Sequence, residues 1–89
     1  MTHTKHWSVD IYIDEHEETR RTRAEARLHT EDRTDLRGVG TSARHPHDRE
    51  VPEIGDEIAV ARALADLSDH LHTAARLDVA ENSDQPTGE

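Results

Sequence analysis

Metal ligation and acid–base work are the two kinds of chemistry the polar residues of this sequence could support. His45-Pro46-His47-Asp48 sets two imidazoles and a carboxylate within four residues. These are the ligands Zn²⁺ or Ni²⁺ accepts once thiolates are absent. A closed site needs about four ligands, and nothing else in the sequence is fixed beside this segment unless a second subunit supplies it. His47 is the position to test for metal, and the simpler reading is a polar loop. His70 and His72 stand two apart on a helical pattern and so point in different directions. Asp10, Asp14 and Glu25 share one side of a strand pattern with Arg23, Arg27 and Arg37. Paired carboxylates can do acid and base work, but opposite charges interleaved across strands form ion pairs on a solvated face more simply. No glycine-rich phosphate loop, nucleophile elbow or His-Glu-x-x-His pattern occurs, so neither a catalytic residue nor a cofactor is expected.

The elements that would carry these residues follow from hydrophobic periodicity. Trp7, Val9, Ile11 and Ile13 alternate with Ser8, Asp10, Tyr12 and Asp14, the period-two pattern of a half-buried strand. The polar run Glu15 to Arg21 has hairpin-loop length, and Ala24, Ala26 and Leu28 then alternate with Arg23, Glu25 and Arg27 as a second strand. After the polar turn Glu31 to Asp35, Leu36 to Ala43 reads as a third strand, antiparallel to the second. Its Gly38 and Gly40 mark either the place where another backbone approaches or a glycine-loosened edge. Tyr12 and Val39, with the arginines, compose either a contact surface or an ordinary polar exterior.

Arg44 to Pro52 is a connecting loop rich in proline, histidine and charge. Pro52 disfavours helix at Val51, and Glu53, Asp56 and Glu57 suit the positive end of a helix dipole. A helix should therefore begin between Pro52 and Asp56. From Ile54 to Leu77 the apolar residues occupy an arc of roughly 200°, where one sheet needs little more than about 100°. Val60, Ala63, Leu67, Leu71 and Ala74 are the interface candidates on that arc. The expected fold class is α+β: a three-stranded antiparallel sheet packed against one long C-terminal helix, in the order β-β-β-α. The expected divisions are a flexible N-terminus over 1–5, one domain over 6–79 and a disordered tail over 80–89.

Composition bounds the rest. The chain has 89 residues and no cysteine, so one small core is available without disulfides or thiolate zinc sites. The large apolar residues expected to supply it are Trp7, Val9, Ile11, Ile13, Leu28, Leu36, Val39, Ile54, Ile58, Val60, Leu64, Leu67 and Leu71. Scaffolds this small commonly add a second copy of themselves, and a homo-oligomer is the expectation. A formal charge of −9 opposes phosphate and disfavours nucleic acid and anionic membranes as partners. The polar N-terminus and the lack of a long apolar run lead to the expectation of a cytoplasmic protein.

The segments Trp7-Ser-Val-Asp-Ile-Tyr-Ile-Asp-Glu-His-Glu, Thr22-Arg-Ala-Glu-Ala-Arg-Leu, Leu36-Arg-Gly-Val-Gly-Thr-Ser-Ala-Arg and Val51-Pro-Glu-Ile-Gly-Asp-Glu-Ile-Ala-Val-Ala-Arg-Ala-Leu-Ala-Asp-Leu resemble a family of short actinobacterial proteins known as a domain of unknown function. The resemblance spans about residues 6 to 77. It implies a double-stranded-RNA-binding-domain-like fold and no particular activity. RNA-binding members of that fold carry lysines at the head of the last helix, where this sequence has Glu50, Glu53, Asp56 and Glu57. The sequence points to a non-catalytic, oligomerising protein-interaction module, with an unidentified protein as a further partner, and the resemblance alone implies a role in regulation or stress adaptation. The alternatives are a nucleic-acid-associated protein and a metal-dependent binder or enzyme using His45, His47 and Asp48.

Overall fold

The computed structural model describes residues 1–43 and 52–84. Three strands, β1 (Ser8–His16), β2 (Arg21–His29) and β3 (Arg37–Ala43), precede one helix, α1 (Pro52–Asp84). The strands form an antiparallel sheet in the order β1-β2-β3. This is the α+β arrangement the alternation and the helical stripe predict. Pro52 opens the helix, where its missing N–H costs nothing. The helix continues to Asp84, so the boundary expected at residue 79 is corrected: Ala80–Asp84 is helical. Alanine, leucine and glutamate through the helix supply the propensity, and after Gly55 no glycine or proline interrupts it before Pro86.

Register sets the faces. Ile13, Ala24 and Gly40 lie in one row across the sheet, and Ile11, Ala26 and Gly38 in the next. Val9 is opposite Leu28, whose backbone N–H bonds to Leu36 O at 2.9 Å. The helix lies on this side, directly over β3. A Cβ at Gly40 would stand 2.3 Å from Ala59 O and Ala63 N, and one at Gly38 2.3 Å from Ala63 O and Leu67 N. Of the two readings of this glycine pair, close backbone approach is therefore the correct one.

So tight a contact leaves room only for small side chains. The buried core is Ala24, Ala26, Leu28, Ala59, Ala63 and Leu67, with Leu36, Val60 and Leu71 packed partly against it. Most of the large residues expected in the core are not in it: Trp7, Val9, Ile11, Ile13, Val39, Ile54, Ile58 and Leu64 are all exposed. A helix lowered onto two glycines shelters β2 and β3 and stops short of β1. Ala63 and Leu67 are in turn corrected as interface candidates, because both are spent inside the core at 0% and 3% exposure.

Candidate protein-interaction surface

β1 alternates as the sequence predicts, and its apolar row faces the helix side of the sheet. The described residues leave each member of that row more than a third exposed. Trp7 is 54% exposed, Val9 40%, Ile11 37% and Ile13 43%. Residues along α1 turn by about 100° each, which places Val60, Leu64 and Leu71 on the flank that overlooks β1. Leu64 is exposed and the other two are half-buried. Strand row and helix flank together make an apolar trough with one strand for its floor.

The opposite flank of α1 does different work. Arg62 donates to Thr41 O at 2.7 Å, Asp66 accepts from the Val39 N–H at 2.9 Å, and His70 Nδ1 donates to Arg37 O at 2.6 Å. Three side chains spaced four apart thus satisfy the backbone groups along the outer edge of β3. His70 Nε2 also stands 3.6 Å from Asp66 Oδ1. Sequence reasoning missed this role for Arg62, Asp66 and His70. Their i, i+4, i+8 spacing beside an apolar stripe was the available signal.

The far side of the sheet brings together the charged residues that the alternation places there. Glu25, with only 8% of its side chain exposed, accepts from Arg27 Nε and lies 3.3 Å from Arg23 Nη2. The hydrogen bond from Arg27 holds the Glu25 carboxyl below its ordinary value, with desolvation opposing and the charge of Arg27, a hydrogen bond from Arg23 and the charge of Arg37 assisting. The same partnership raises Arg27. Arg27 also stacks over Tyr12, 4.6 Å from the ring centre. Asp10 Oδ2 is 2.8 Å from His29 Nε2, whereas Asp14 lies farther along the strand, opposite Arg23. These contacts form a charge lattice in which an ionised Glu25 holds two guanidiniums of its own strand in place, and Tyr12 and Asp10 tie it across to β1.

His45, His47 and Asp48 lie outside the described residues. Among the described residues no three histidine or acidic side chains converge as they would around a metal ion. No helix there is long and apolar enough to cross a membrane. Of the remaining interface candidates, Val60, Leu71 and Ala74 are half-buried.

Across residues 5–88 the sequence matches the model of the Rv2632c-like family. The chain belongs to that family. It is 49% identical over 82 residues to the uncharacterised protein Mb1767 of Mycobacterium bovis, covering 92% of this chain and 84% of that one. It is 41% identical over 90 residues to the uncharacterised protein Rv2632c of Mycobacterium tuberculosis, covering 97% of this chain and 94% of that one. The crystal structure of Rv2632c superposes with a TM-score of 0.83, over 96% of this chain and 98% of that chain. The β-β-β-α architecture is accordingly that of an experimentally solved relative in this actinobacterial family.

Proposed function

We propose that this member of the Rv2632c-like family is a non-catalytic protein-interaction module that docks through Trp7, Val9, Ile11 and Ile13 of the β1 row and through Leu64 beside it. The single observation that carries this reading is the exposure of every large apolar side chain in that row, on the side of the sheet the helix was expected to cover. Leaving so much apolar surface wet costs a small protein stability it can hardly spare, at roughly 25 cal/mol for each Å² of apolar surface. A partner recovers that loss. A charge of −9, with Glu53, Asp56 and Glu57 at the head of the helix, supports a protein partner over a phosphate-bearing one. The absence of cysteine suits a cytoplasmic setting, and a role in regulation or stress adaptation fits a module without chemistry of its own.

Affinity capture from the native host, comparing the wild-type chain with Val9→Lys/Ile13→Lys, tests the reading. Both substituted positions are exposed, so the fold should survive, as far-ultraviolet circular dichroism can verify. Proteins retained by the wild type, its own copies included, should be lost with the double variant. Identical captured sets would overturn the proposal.

A further inference from the structure

Resting on the interaction reading above, we propose that the occupant of this surface is a second copy of the same chain, added along the open edge of β1 in antiparallel pairing centred on Ile11. Two sheets of three strands then join into one of six.

The two edges of the sheet are treated differently by the molecule. The β3 edge is closed by Arg62, Asp66 and His70, so no strand can add there without displacing three hydrogen bonds. No described residue closes the β1 edge in that way. Backbone groups of alternate residues in an antiparallel ladder point to opposite sides. On β3 the outward set belongs to Arg37, Val39 and Thr41. Carried through the register, this means that Asp10, Tyr12 and Asp14 bond to β2, while Val9, Ile11 and Ile13 aim their N–H and C=O groups at the open edge. The residues with unmet backbone groups are therefore the residues with uncovered side chains. A nine-residue strand in this state is a template for pairing.

Charge selects the register. A register shifted by an odd number would set the apolar row of one copy beside the polar row of the other. Centring the pair on Asp10 sets that carboxylate opposite itself, and centring it on Tyr12 sets Asp10 opposite Asp14. Centring on Ile13 places Ile11 against Glu15. Like charges directly opposite one another destabilise a ladder. Centring on Ile11 sets no like charges opposite one another and leaves only the outer pair, Trp7 with Glu15, mismatched: Ile11 meets Ile11, Val9 meets Ile13, Asp10 meets Tyr12 and Ser8 meets Asp14. The short segment Val9-Asp10-Ile11-Tyr12-Ile13 is thus complementary to itself about its middle residue, as a two-fold interface requires.

Single cysteines in this cysteine-free chain read the register directly. Paired Ile11 Cα atoms would stand about 5.5 Å apart, within reach of a disulfide. Paired Ile13 or paired Val9 atoms would be offset by four residues, about 13 Å, which is out of reach. Under mild oxidation Ile11→Cys should link at least about tenfold faster than Val9→Cys or Ile13→Cys alone, and an equimolar mixture of the last two should link to each other. Equal rates for all three, or linking of Ile13→Cys alone, would overturn the pairing. Light scattering on the wild type separates the two layers of the argument. A dimeric wild type whose Ile11→Cys variant does not link overturns β1 pairing and leaves the docking surface standing. A monomeric wild type that captures nothing through the β1 row overturns both.

Discussion

Two glycines fix the distance between helix and sheet in this protein. Gly40 has no room for a methyl group, because the atoms it would strike, Ala59 O and Ala63 N, are backbone and cannot swing aside. Gly40→Ala should therefore cost at least about 1–3 kcal/mol, the range for overpacked cores, seen as a lower urea midpoint. An unchanged midpoint would contradict the close approach. Glu25 carries a pH dependence of known sign. Its folded value lies below that of an ordinary glutamate, so its contribution to stability is complete above the ordinary value and fades as pH falls through the depressed one. The difference in stability between wild type and Glu25→Gln should be constant near neutrality and shrink in acid, which urea titrations at a series of pH values can check. A gap that widens in acid would contradict the pairing with Arg27 and Arg23. Neither feature could be read from residue identities alone. Gly38 and Gly40 left two readings open, and the near burial of Glu25 depends on which arginines fold over it.

At the scale of elements, the alternation of β1 and the long apolar stripe identified every strand and the helix, because those periodicities are local. What they could not reveal is how far across the sheet the helix sits, which depends on the glycines of β3, two strands away from β1. The large residues of the stripe were expected to fill the core, yet four of the six core residues are alanines, since only a methyl fits under so close a helix. Leu64 and Leu67 separate the two roles the stripe plays. Leu67→Asp buries a charge at a site 3% exposed and should unfold the protein. Leu64→Asp, at a site 43% exposed, should leave the melting temperature nearly unchanged while weakening association. Equal loss of stability in both would contradict the position of the helix. The end of α1 is a further case. Residues from Ala75 to Asn82 are all exposed, so deleting residues 80–89 should leave the urea midpoint in place.

The whole molecule is extended for its size. Its radius of gyration is 18.1 Å, against about 12 Å for a compact chain of this length. A 33-residue helix is roughly 50 Å long, whereas the nine-residue strands reach about 30 Å. The helix overhangs its sheet at one end, and the sheet extends past the helix at β1. Such a shape buries little for its length, and joining two copies through β1 turns the longest open edge into the centre of a larger sheet. The measurement that tests this most directly is the solution mass of the wild type and of Ile11→Pro at micromolar concentration, by light scattering during gel filtration. Proline at Ile11 removes only an N–H that points away from β2, a substitution edge strands tolerate. The wild type should have twice the single-chain mass of 10.1 kDa, and the proline variant, with its helix content intact, the single-chain mass. A wild type that remains a single chain throughout that range would contradict the account.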